Sequence, residues 1–149
     1  MTAEERLLAI EEIKKLKARY FRYLDTKNWV ALESVFAPDA AFDMRSGRGD
    51  MLDPDALLAG AVAIVSFIRA SVEDVVTVHH GHMPEVDIRS DTMAEGIWAM
   101  EDVLRWPTTS TRPIQTLHGY GHYHETYELI GGGWRIKTLK LTRLRVLTE

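Results

Sequence analysis

The apolar positions of this chain repeat with one period in its first third and another in its second half. Thr2 and Glu5 have the spacing of a capping box, and behind them Leu7, Ile10, Ile13, Leu16, Tyr20, Phe21 and Leu24 recur every three or four residues. That spacing predicts one long amphipathic helix ending near Asp25. Asn28 is placed to cap a short second helix through Trp29, Leu32 and Phe36, which Pro38 would stop. Residues 40–44 read as a short strand, 45–55 as a loop containing Gly, Asp and Pro, and 57–71 as a third helix. From Asp74 onward alternation takes over. It predicts strands at 75–80, 85–89, 92–105, 118–130 and 134–147, with Gly131, Gly132 and Gly133 as a hairpin turn between the last two.

Helices first and long antiparallel strands afterwards predict a single α+β domain over residues 1–149. A strongly curved sheet would wrap its concave face around the N-terminal helices and leave a pocket between the two. Strands of about ten residues or more need bulges or added twist to curve, and Gly81, Pro84, Gly96, Gly119 and Gly121 are the candidate positions.

Composition narrows the classes. With 46% hydrophobic and 27% charged residues the chain reads as an ordinary globular domain, and its net charge of -4, with no basic run, argues against a nucleic-acid partner. The absence of cysteine removes thiolate catalysis, disulfides and sulfur-ligated metals. The first fifteen residues lack the basic and apolar regions of a signal peptide, and the longest apolar stretch, 56–68, is too short and Gly-interrupted for a bilayer. A cytoplasmic protein without a membrane partner is the expectation.

Five polar residues fall where the pattern asks for apolar ones: Tyr20, Asp25, His79, Asp102 and Arg143. Asp102 shares a strand face with Trp98, Met100 and Leu104, where an unpaired buried carboxylate would cost several kcal/mol. Arg143 alternates onto one face with Leu139 and Leu141 and can grip a carboxylate bidentately, whether that of Asp102, of Asp25 or of a substrate; Arg145 is a rival for the role. Of the adjacent histidines, His80 shares a face with Val76 and Val78, while His79 goes with Thr77 and Gly81 on a smaller, more polar face fit to border a cavity. An acid that orients a histidine raises its basicity and fixes its tautomer, and Asp25 at the helix end is the candidate. Tyr20 reads either as a core residue with a satisfied hydroxyl or as a donor to a substrate oxygen. Trp98, Met100 and Tyr123 are the expected apolar contacts of a ligand. His118, His122 and His124 are separated by even numbers of residues and so share one strand face with Tyr120. Without Cys or an HExxH motif they point to a pocket wall whose polarity a histidine tunes, rather than to zinc.

Tyr20 and Asp25 on helix one, Asn28-Trp29, Phe36 with Asp39-Ala40, Thr77 with His79, Gly121 with Tyr123, and the run Gly133-Trp134-Arg135-Ile136 together resemble the SnoaL-like branch of the nuclear transport factor 2-like superfamily. The resemblance covers nearly the whole chain and implies a cone-shaped α+β barrel with a pocket between sheet and helices. Within that branch the bacterial bile-acid 7α-dehydratases look similar at the pocket, with a tyrosine, two aspartates, a histidine and an arginine falling on Tyr20, Asp25, Asp102, His79 and Arg143. Scytalone dehydratase resembles the chain in its pocket histidine and helix-one tyrosine, and lindane dehydrochlorinase in its aspartate and strand histidine. These relatives imply an elimination begun by proton removal, with neither a metal nor an organic cofactor. The expected function is therefore a dehydratase acting on a hydroxylated polycyclic ketone such as a steroid or bile-acid-like compound. An isomerase or cyclase using the same base is the alternative, as is a non-catalytic binder of apolar small molecules or an oligomerisation module. A homodimer or homotrimer is expected from the open sheet face.

Overall fold

A computed structural model describes residues 1–45 and 57–149, so most of the loop expected at 45–55 lies outside the described residues. Helix α1 (Ala3–Asp25) begins with the capping box foreseen: the Thr2 hydroxyl accepts from the Glu5 N–H, and the Glu5 carboxylate accepts from the Thr2 N–H. Its apolar stripe buries Ala9, Ile13, Leu16, Tyr20 and Leu24 against the sheet, but Leu7 overhangs into solvent. Asn28 caps α2 (Trp29–Glu33) by accepting from the Ala31 N–H.

That second helix is shorter than its pattern suggests. Phe36 does not continue it but opens strand β1 (Phe36–Asp43), because the Val35 carbonyl accepts from the Ile136 N–H of the last strand and draws the chain into the sheet. Strand β2 (Leu57–Ala59) takes the start of the expected third helix, and α3 (Ala61–Val72) the rest. The remaining strands are β3 (Val76–Ile88), β4 (Met93–Arg105), β5 (Thr116–Ile130) and β6 (Gly133–Thr148). The two strands expected at 75–80 and 85–89 are one, β3, carried across a bulge between Gly81 and Pro84. At the β5–β6 hairpin Ile130 pairs with Gly133, so Gly131 and Gly132 alone make the turn, both at positive φ as a type I′ turn requires.

The sheet runs β2-β1-β6-β5-β4-β3 and is antiparallel except where β1 lies parallel to β6. Further bulges shift the β5–β6 register between Tyr120 and Gly121 and between Thr126 and Tyr127, each leaving one extra residue on β6. Gly81, Pro84 and Gly121 thus sit at bends as expected, while Gly96 and Gly119 lie in regular ladder. The concave face packs on α1 and α3 through one continuous core that includes Leu16, Leu32, Phe42, Ile64, Ile136 and Leu139. This is the α+β cone, built from α-helices against a mostly antiparallel curved sheet.

Candidate active site

Each polar residue of the expected set except Asp25 reaches one cavity, and Asp25 stands directly behind the histidine that does. Helix α1 ends at Asp25 because Lys27 turns left-handed (φ +59°) two residues later, so the carboxylate faces the start of β3. There it accepts three hydrogen bonds. The Thr77 hydroxyl donates at 2.9 Å, the His79 backbone N–H at 2.9 Å and the His79 ring Nδ1 at 2.6 Å. Lys27 Nζ in turn donates to the Thr77 hydroxyl at 2.9 Å, which commits that hydroxyl's own proton to Asp25. With Nδ1 held by a carboxylate, the basic nitrogen of a neutral His79 is Nε2, on the cavity side. The ring stacks on Phe21, with centroids 6.2 Å apart.

Directly across the ladder His79 pairs with Asp102 of β4, and Nε2 lies 3.9 Å from Asp102 Oδ2. Asp102 is almost wholly buried, and Arg143 grips it through two bonds of 2.5 and 2.9 Å. Burial works against the Arg143 charge, but the bond to Asp102 and its field outweigh this and push the guanidinium pKa up. The choice between Arg143 and Arg145 is made by the β6 bulge: Leu144 is the extra residue, and Arg145 is turned out to solvent. Gly119 makes room for this contact, since a Cβ there would overlap both the Arg143 guanidinium and the Asp102 carboxylate.

Tyr20 and Tyr123 complete the polar wall. Their rings meet edge to face at 6.1 Å, and burial, reinforced by the nearby carboxylates, pushes both phenol pKa values up. Both hydroxyls therefore stay protonated at any ordinary pH and act as donors. Most of the remaining lining is apolar and includes Phe42, Phe67, Ile68, Leu104, Leu117 and Leu141, with Ser71, Arg112 and Thr148 as the polar exceptions, enclosing about 340 Å³. That volume is at the small-ligand end of the usual range.

The expected ligand contacts and the expected histidine face need correction. Trp98 and Met100 are buried but do not line the cavity: Trp98 donates from its indole to the Tyr127 hydroxyl at 2.8 Å, and the Met100 sulfur lies 3.8 Å from Arg143 Nη1. The histidine face of β5 is the outer one. His118 reaches Glu101 and His124 reaches Thr142 on the convex side, whereas Tyr123 faces inward with Leu117. Among the described residues no three His, Asp or Glu side chains converge as they would around a metal.

The sequence pattern also missed a buried ion pair. Lys17 of α1 is fully enclosed, its ammonium bonded to Glu125 of β5 and ringed by Tyr20, Phe21 and Tyr123 at 4.1, 4.9 and 3.7 Å from their centroids. Tyr127 donates to the second Glu125 oxygen at 2.5 Å. Burial pushes the Lys17 pKa down, and Glu125 opposes that shift. Lys17 follows Leu16 and reads as a solvated helix position. The available signal was Glu125, two residues from Tyr123 and from Tyr127 and so on their inward face.

A curved sheet closed over helices, with an acid-oriented histidine and an arginine-held aspartate lining an apolar cavity, defines a small-molecule pocket protein of the cone-shaped α+β type. The chain belongs to the SnoaL-like domain family, whose model matches residues 5–140. Among solved structures it is similar to a candidate scytalone dehydratase from Novosphingobium aromaticivorans, with 20% identity, a TM-score of 0.83 and coverage of 99% of this chain and 92% of the other. A hexachlorocyclohexane dehydrochlorinase superposes with a TM-score of 0.82 at 16% identity over 99% and 93% of the two chains. A probable cyclase from Gibberella zeae is 25% identical over 137 residues, 89% of each chain. Among the described residues no helix is long and apolar enough to cross a membrane.

Proposed function

We propose that the protein is a cofactor-independent lyase that removes water from a hydroxylated polycyclic ketone, steroid-like in size, with His79 as the base. The observation that carries this reading is the 2.6 Å contact from His79 Nδ1 to Asp25, which leaves Nε2 facing the cavity beside Asp102. In the proposed step Nε2 takes the proton on the carbon alpha to the carbonyl, and the C–H electron pair moves into the enolate. The enolate then re-forms the carbonyl as the C–O bond at the beta carbon breaks. The departing hydroxide takes the proton back from the imidazolium, so the products are an unsaturated ketone and water.

Asp25 stabilises the imidazolium that forms in between. Tyr20 and Tyr123, kept protonated by burial, supply hydrogen bonds to the enolate oxygen or to the leaving hydroxyl. Asp102, engaged by Arg143, is an acceptor and not the acid: it accepts a hydrogen bond from the substrate hydroxyl, whose proton stays on the oxygen, and holds that group near Nε2. A positioned base contributes about 10²–10⁴-fold, and donors aimed at the enolate add a comparable factor. Structural similarity to dehydratase and dehydrochlorinase relatives supports an elimination.

Hydroxylated 3-keto steroids, screened for ultraviolet-absorbing unsaturated products, are the test set. The His79→Ala variant should fold and lose turnover; retained activity would show that the base is another group. The similarity to a probable cyclase favours one second reading, in which the same base returns its proton to carbon. Exchange of solvent deuterium into substrate without loss of water would identify it.

A further inference from the structure

The cavity has a second polar pole, remote from His79. Trp106 leaves the sheet one residue beyond β4, and its backbone N–H bonds to the Gln115 carbonyl at 2.9 Å, which fixes the indole in the cavity wall. The residue is 8% exposed, yet its indole Nε1–H has no hydrogen-bond partner, and it is the one such buried side-chain group among the described residues. A buried donor left unpaired costs about 1–3 kcal/mol, so a native fold tolerates it where something else supplies the acceptor. Over the ring of Trp106, at 5.2 Å, stands the guanidinium of Arg112, which also lines the cavity and has no carboxylate partner among the described residues. The surrounding lining is apolar: Leu104, Ile114, Leu117 and Val146.

We propose that Trp106 and Arg112 form a carboxylate subsite that anchors the end of the substrate opposite the reacting carbon. The guanidinium takes the carboxylate at the cavity mouth, and the indole N–H, which lies within the wall out of reach of water, meets one of its oxygens when the Trp106 ring turns on ligand entry. Trp106 lies four steps along extended chain from Asp102, about 13 Å at the usual strand rise. The ligand therefore spans roughly that distance with an apolar body, and presents a carboxylate at one end and the eliminated hydroxyl at the other. Recognition at the remote end holds the reacting carbon against His79 Nε2, so binding energy gained far from the chemistry serves orientation.

This inference rests on reading the cavity as a substrate site, but its test needs no turnover. The probes are 2-naphthoate and its neutral analogue 2-naphthamide, with affinities measured by calorimetry and the four tryptophan indole N–H resonances followed by NMR. Trp106→Phe assigns the Trp106 signal. Naphthoate should bind at least about tenfold more tightly than the amide and should move the Trp106 resonance. In Arg112→Gln, a change at an exposed loop position that leaves the fold intact, that preference should vanish. Equal affinity of the two probes, failure of naphthoate to bind, or a preference that survives Arg112→Gln would each overturn the subsite. Loss of the lyase reading, through absence of any elimination, would leave these binding results standing.

Discussion

Replacing Lys17 by methionine tests whether the base of the cavity is held by a charge pair. Methionine follows the path of the lysine stem at similar volume, so little cavity is created and the loss is mainly electrostatic. Lys17 and Glu125 are both fully buried at the side chain, and Lys17 also stands over three aromatic rings. Removing one partner of a buried pair leaves the other charge unsatisfied and costs about 3–5 kcal/mol. Glu125 keeps its bond from Tyr127, which points to the lower half of that range. A domain of this size has only about 5–15 kcal/mol in total, so the variant remains folded but sits near its limit. At a slope of about 2 kcal/mol per molar urea the unfolding midpoint should fall by roughly 1.5–2 M.

The second arm of the cycle is Lys17→Met combined with Glu125→Gln, which removes both charges and keeps an acceptor for Tyr127. That variant should return to within about 1 kcal/mol of the parent, since a buried pair and its neutral replacement often differ little. Urea unfolding followed by tryptophan fluorescence measures all the corners. A single variant that loses less than about 1 kcal/mol, or a double variant as unstable as the single, would refute the charge-pair account. The second result alone would leave the aromatic cage as the reason for the lysine.

Alkaline stability follows from the phenols. Burial pushes the pKa values of Tyr20, Tyr123 and Tyr127 up. The unfolded chain releases those protons near pH 10 while the native state keeps them, so their contribution is intact below that pH and lost above it, by about 4 kcal/mol per pH unit for the three together. The depressed Lys17 works the other way, by at most about 1.4 kcal/mol per pH unit and only below about pH 10.4, so the phenols outweigh it from about pH 10 upward; unchanged stability at pH 11 would contradict it. Asp25→Asn sets an amide NH₂ against the Thr77 and His79 donors, and turnover should drop about 10²-fold or more with the fold retained by circular dichroism. Gly119→Ala should drive Arg143 off Asp102 and cut turnover at least about tenfold; a fully active variant would show that the ion pair is dispensable.

How much of this was legible follows the range of the forces involved. Local periodicity fixed α1 to its last residue and divided β3 correctly into a His79 face and a His80 face, because alternation depends on nothing distant. The apolar neighbours of Asp102 and Arg143 marked both as candidates for burial and left the partner of Arg143 open, and the structure buries the two side chains against each other across Gly119. What failed depended on other strands. Phe36 is helical by pattern and extended in fact, since β6 offers the preceding residue a backbone partner. The β5 histidines share a face as counted, but which face turns inward is decided by Tyr123, Glu125 and Tyr127 packing on α1, and no count along one strand reveals that. Lys17 and the unpaired Trp106 indole were equally hidden, one because its partner is 108 residues away and the other because an absent partner leaves no sequence signal.

The arrangement of the site explains why so few residues suffice. His79 opposes Asp102 on β3 and β4, Asp102 opposes Gly119 on β5, and Arg143 on β6 opposes Gly121 two residues further on. A base, its acidic neighbour and the cation that holds that neighbour thus stand on a diagonal across a hydrogen-bonded sheet. Each is fixed by ladder register rather than by a loop. The diagonal requires the arginine to cross β5 above Gly119, the strand position at which a side chain would block it. Of the four charged or titratable groups on this path, Asp25, His79, Asp102 and Arg143, Asp25 alone comes from outside the sheet, and it binds the histidine's backbone N–H as well as its ring, so α1 docks on the same atoms whose tautomer it sets. Packing of the first helix and basicity of the histidine are therefore one interaction. A substitution that loosens α1, such as the Lys17 change, should lower activity before it lowers the folded fraction, because the 2.6 Å contact is sensitive to displacements that the apolar core absorbs.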